Sequence, residues 1–186
     1  MNHIVFQSKC QGYSHIKSDL ECQDSTLVKK TEKYAIAVVA DGHGSASYFR
    51  SSRGSLFATE AAITAIEELL ETILSDKSNM DDFCASIDKH LIQLERSVIA
   101  RWHERVEDDY SKNPFLDSEI LKVDEKHKEK YLKGERIEAA YGSTLIAVAC
   151  TDAFWFGIHI GDGKCITCDY LSLIHISEPT RLGMIS

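Results

Sequence analysis

An α+β domain is the fold this sequence predicts, and three observations predict it. An apolar run from Tyr34 to Ala40 is too short for a typical helix and stops at the tetrapeptide Asp41-Gly42-His43-Gly44. Two later stretches repeat apolar residues every three or four positions, which is the helical period. Beyond them, strand-like runs joined by turn residues extend from Leu145 to Cys168.

The Ala35–Ala40 run reads as a buried strand, with shorter strands expected at Ile4–Ser8 and Thr26–Val28 around a loop that holds Gly12, His15, Cys22, Gln23 and Asp24. From Ser52, the positions Phe57, Ala61, Ala62, Ala65, Ile66, Leu69, Ile73 and Leu74 form one apolar stripe, so a helix is expected to pack on the sheet. Phe83, Ile87, Leu91, Leu94, Val98 and Trp102 predict a second helix, with Asp81 and Asp82 near its start. The charged stretch Glu104–Glu138, broken by Asn113-Pro114, reads as a surface excursion with one short helix. Tyr141–Cys150, Phe154–Ile160 and Lys164–Cys168, separated by Thr151-Asp152-Ala153 and Gly161-Asp162-Gly163, predict an antiparallel meander.

The 186 residues, 44% of them hydrophobic, suit one globular domain. The formal charge of -8 disfavours a nucleic-acid partner, because neutralising phosphates needs a surplus of Lys and Arg. No apolar stretch approaches the roughly 20 residues of a membrane span, so no membrane association and a cytoplasmic location are expected. Six scattered cysteines then read as free thiols, and Cys165–Cys168, lacking a second pair, as strand thiols rather than a zinc site.

The chemistry concentrates at strand ends. Asp41 and His43 arrive together at the end of a buried strand, and the flanking glycines remove side-chain bulk and permit positive φ. Asp24 lies in the early loop and Asp162 in a later Gly-Asp-Gly turn, although Asp-Gly is also ordinary turn chemistry. Carboxylates gathered from several loops suit hard cations such as Mg²⁺ or Mn²⁺. His43 could act as a general acid near neutral pH, its ordinary pKa being about 6.5. His159, on an alternating strand, reads as a packed or solvent-facing side chain.

Taken in order, Gly12-Tyr13-Ser14-His15, Cys22-Gln23-Asp24, Val39-Ala40-Asp41-Gly42-His43-Gly44, Gly142-Ser143-Thr144-Leu145 and Ile160-Gly161-Asp162-Gly163-Lys164 resemble the metal-dependent protein phosphatase family. These are the type 2C serine/threonine phosphatases, and the bacterial branch is the more similar. The resemblance implies an αββα sandwich of two antiparallel sheets flanked by helices, with a binuclear Mg²⁺ or Mn²⁺ centre between the sheets. It implies hydrolysis of phosphoserine and phosphothreonine in a phosphorylated protein substrate by a metal-bound water, a signalling activity. On this resemblance Asp41 is the bridging metal ligand, Gly42 a ligand through its carbonyl, Asp24 the acidic residue of the first motif and Asp162 a ligand of a further, weaker site. His43 is the catalytic acid.

Three departures qualify the expectation. Gln23 stands where many members carry glutamate, and the arginine that pairs with substrate phosphate has no evident counterpart, His15 lying in its neighbourhood. The family's downstream aspartates are absent. Residues 1–170 are therefore expected to be the N-terminal part of a phosphatase-like domain, incomplete at the C-terminus and impaired in activity, with 171–186 a non-native tail. A non-catalytic phosphatase-like module that binds a partner or phosphopeptide is the alternative, and a small phosphorylated metabolite is an alternative substrate.

Overall fold

The computed structural model describes residues 3–17, 21–167 and 175–177, and its fold is α+β. A short helix α1 (Tyr13–Lys17) precedes strands β1 (Asp24–Lys30) and β2 (Tyr34–Asp41). A 3₁₀ turn at Ala46–Tyr48 leads into α2 (Ser51–Ile73), followed by α3 (Lys77–Ala85), α4 (Ile87–Lys112), α5 (Asp117–Ile120) and α6 (Glu125–Leu132). A second 3₁₀ turn, Ile137–Tyr141, enters β3 (Leu145–Thr151) and β4 (Trp155–Ile160). The four strands form one antiparallel sheet in the order β1-β2-β3-β4. Between β2 and β3 the chain leaves the sheet to build the helical layer.

Alternation decides which face the helices cover. Ile36 and Val38 of β2, Leu145, Ala147 and Ala149 of β3, and Phe156, Ile158 and Ile160 of β4 are buried against α2 and its neighbours. Each fully buried Ile or Leu contributes about 2 kcal/mol as an upper estimate. The N-terminal segment expected as a strand at Ile4–Ser8 makes no ladder. It follows the opposite face of the sheet, touching it through Thr26 Oγ1 with Gln7 at 3.4 Å and through Lys9 Nζ with the Asp24 carbonyl at 3.4 Å.

Four expectations need correction. The helix predicted through Phe83 and Trp102 is two helices, because Ser86 leaves helical geometry at φ −139° and its hydroxyl donates to the Asp82 carbonyl. Asp76, rather than Asp81 or Asp82, caps the first of them, accepting from the Asn79 amide at 3.0 Å. The charged excursion is a packed subdomain, and α4 runs on to Lys112. The meander ends at β4: β5 (Cys165–Thr167) pairs instead with β6 (His175–Ser177) in a separate two-stranded sheet. Cys168 and, apart from His175–Ser177, the stretch taken as a non-native tail lie outside the described residues.

The packed excursion matters because of Arg50. Its guanidinium is buried, donates to both Glu119 carboxylate oxygens at 2.9 Å, and also donates to the Asn113 and Pro114 carbonyls and to Tyr141 Oη. It stacks 4.7 Å from the centre of Phe115. Tyr141 Oη donates in turn to Asp109, which also accepts from Arg53. Burial alone would raise both carboxyls, but these donors outweigh it and hold Asp109 and Glu119 below their ordinary values. Beside this node α2 approaches the backbone of Tyr141 so closely that a Cβ on Gly54 would lie 1.7 Å from its carbonyl oxygen, and the Gly54 carbonyl accepts from Trp102 Nε1.

Two predictions follow from this node. Arg50→Met strands Glu119, whereas Asp109 keeps Tyr141 and Arg53, and the change should cost about 3 kcal/mol in urea unfolding; an effect within about 0.5 kcal/mol would exclude the clamp. Because the folded carboxyls of Asp109 and Glu119 lie below their ordinary 3.8 and 4.5, the stability they add is complete above those values. It should be lost as pH falls below about 4.5, and the urea midpoint of Arg50→Met should fall less over the same range.

Candidate metal and active site

Antiparallel register sets Asp24 of β1 directly opposite Asp41 of β2, both on the face away from the helices. Like charges directly across a sheet repel, so something must hold the two strands in this register. Gln23 does so through its carbonyl, which accepts from the Gly42 amide at 3.1 Å and from Ser55 Oγ of α2. Behind it, Ser25 Oγ and Thr59 Oγ1 share a buried hydrogen bond of 2.9 Å. The start of β1 is thus fastened to α2 from beneath.

On its other side Asp41 is fastened by β3. Its carbonyl accepts from the Thr144 amide at 2.8 Å and from Ser143 Oγ at 3.1 Å, while its own amide donates to Thr144 Oγ1. The sequence placed Gly142–Leu145 in the resemblance without a role; the role is to clamp the Asp41 backbone. Three-sided backbone pairing leaves the Asp41 side chain as the group free to point outward.

The two glycines of Asp41-Gly42-His43-Gly44 do not adopt the positive φ that the sequence suggested. At Gly42 the requirement is proximity, since a Cβ would lie 2.7 Å from both the Gln23 and Ser51 carbonyl oxygens. Among the described residues its own carbonyl accepts no backbone hydrogen bond. Positive φ occurs instead at Gly161, at 109°, where the turn carrying Asp162 passes over Thr144.

These elements enclose an open cavity of about 380 Å³ lined by Asp24, Asp41, Asp162, Thr144, Ile146 and Lys9, among others. Asp41 feels the crowding. Partial burial, then the charge and hydrogen bond of Asp24, and then the charge of Asp162 raise its carboxyl above the usual range, with His43 opposing them. His43 donates its amide to the Gly142 carbonyl, and its ring lies edge-on to Tyr48 with centroids 4.6 Å apart. The ring is half-buried beside the cavity and does not line it. His15 lies in α1 and is likewise absent from the lining. His159, expected to be packed or solvent-facing, is half-buried on β4 with both ring nitrogens unpartnered.

A family model described as protein phosphatase 2C matches residues 11–179, and the chain belongs to that family. No curated protein matches it significantly. No described helix is long and apolar enough to cross a membrane, and the described cysteines are free thiols.

Members of this family are generally metal-dependent, and the donors here suit a divalent cation in kind. Asp24, Asp41 and Asp162 supply hard oxygen, and the Asp24 and Asp162 charges, after burial, add to the raising of the Asp41 carboxyl, a crowding that a cation would relieve. In number they fall short. Among the described residues no three His, Cys, Asp or Glu side chains converge on one point that could hold a metal.

Protons and cations should compete here. With its carboxyl raised, Asp41 gives up Mn²⁺ as pH is lowered, so affinity measured by calorimetry should already decline at pH values above the ordinary carboxylate range near 4. In metal-free protein Asp41→Asn should raise the melting temperature by relieving repulsion, while abolishing the Mn²⁺-dependent rise seen in the parent. An unchanged Mn²⁺ response in Asp41→Asn would remove this residue from the site.

Proposed function

We propose that the chain carries the site of a metal-dependent protein phosphatase acting on phosphoserine and phosphothreonine in a cytoplasmic signalling setting. The observation that carries the reading is the pair of opposed carboxylates, Asp24 and Asp41, held in repulsive register by backbone bonds from three sides. A bound cation would account for a cross-strand acidic pair fixed at such cost. Asp24, Asp41 and the Gly42 carbonyl would hold one Mg²⁺ or Mn²⁺ ion, and Asp162 would help hold a second, weaker one. The bound cations would supply a nucleophilic water and neutralise the phosphate.

The residues of the chain then divide the remaining work. Thr144 and Ser143 keep Asp41 from shifting along the strand. His43, whose amide donates a hydrogen bond to the Gly142 carbonyl and whose ring packs on Tyr48 beside the cavity, would turn into it to donate a proton to the departing alkoxide. Phosphorylated protein is the preferred substrate because the cavity is open at the surface rather than closed around a small metabolite. With two adjoining carboxylates and a third nearby, most of an octahedral shell falls to water, so turnover by these 186 residues should be slow.

Phosphothreonine peptide hydrolysis with Mn²⁺ should run below about 1 s⁻¹, against roughly 10 s⁻¹ for a median enzyme, and should vanish in Asp41→Ala. His43→Ala should lose about 100-fold on the peptide, whose alkoxide needs a proton, and under about 10-fold on p-nitrophenyl phosphate, whose phenolate leaves unaided. Equal losses on both substrates would exclude His43 as the acid. Tight phosphopeptide binding without Mn²⁺ and without turnover would instead support a non-catalytic binding module.

A further inference from the structure

We propose that Lys9 positions the phosphate of the substrate, a role that rests on the phosphatase reading above. Lys9 lies in the N-terminal segment that follows the face of the sheet opposite the helices, and it lines the cavity with Asp24, Asp41 and Asp162. Among the described lining residues it is the only cation. Its Nζ donates to the backbone carbonyl of Asp24, not to a carboxylate, at 3.4 Å. That bond is long and therefore weak, and an ammonium has three donors, so the group can turn toward an anion without giving up a strong partner.

Electrostatics supplies the need. A phosphomonoester dianion entering this cavity meets three carboxylates, and divalent cations among them neutralise only part of that charge. Lysine is a compact, mobile point charge and a common phosphate binder. The other basic side chains near the motifs, His15 and Lys164, do not line the cavity. Lys9 is thus the lining cation available to meet the phosphate. It is a positioning residue that acts on binding and orientation, with the proton and the nucleophile left to other groups.

Calorimetric titration of inorganic phosphate into the Mn²⁺-saturated 186-residue chain tests this directly. Lys9→Gln should weaken phosphate binding about 10-fold or more, Lys9→Arg should stay within about 3-fold of the parent, and Mn²⁺ affinity of Lys9→Gln should be equal or tighter because a repelling charge is gone. Unchanged phosphate affinity in Lys9→Gln overturns the role. So does an equal loss in Lys9→Arg, or a matching loss of Mn²⁺ affinity, since either makes Lys9 a tether of the N-terminal segment. Parent protein that binds Mn²⁺ but no phosphate refutes this role alone, whereas parent protein that binds no Mn²⁺ refutes the metal site and this role with it.

Discussion

The buried guanidinium of Arg50 is the interaction on which the site's architecture depends. It sits at the start of α2, nine residues after Asp41, and gathers Glu119, Tyr141 and the Asn113 and Pro114 carbonyls around itself, while its own amide donates to the Ala140 carbonyl. One side chain thereby joins the loop leaving β2 to the segment entering β3. Those are the two stretches that bracket Asp41. A cation so enclosed is costly to bury, and its bidentate carboxylate and ring partners are what make the burial sustainable.

The same arrangement explains why a repulsive pair survives at the sheet's edge. Asp24 and Asp41 face each other because their strands are fixed elsewhere, by Gln23 beneath, by Ser143 and Thr144 alongside and by α2 throughout. Burial first, and then the charge and hydrogen bond of Asp24, raise the Asp41 carboxyl, since the strands cannot separate to relieve the crowding. A carboxyl perturbed in this way beside a second carboxylate is the observation on which the proposed cation site rests. The aromatic group of Phe49, Phe115 and Tyr131 extends the support beneath the loop that carries His43.

How much of this could be read in the sequence varied with the range of the interaction. β2 and α2 were legible because local periodicity and a terminating Asp-Gly specify them. The family resemblance likewise rested on short motifs, and the match over residues 11–179 agrees with it. The role of 104–138 was not legible. Its apolar residues Val106, Ile120, Val123 and Tyr131 are too widely spaced for a periodic signal, yet they all reach the core. Ser86 breaking one helix into two, and β5 leaving the meander, depend on tertiary contacts that no short window contains. Lys9 was missed because nothing in Ser8-Lys9-Cys10 differs from an ordinary polar stretch until the fold brings it beside Asp24.

The central claim is that the end of β2 and the start of β1 form a divalent-cation site. Adding substoichiometric Mn²⁺ to isotope-labelled protein and following the backbone amide signals tests it most directly, because the ion broadens only signals near its binding site. The account predicts selective loss of the Asp24, Asp41, Gly42 and Asp162 signals, while those of the acidic surface of α2, such as Glu68 and Glu71, persist. Broadening centred on α2, or spread evenly over the acidic surface, would contradict it.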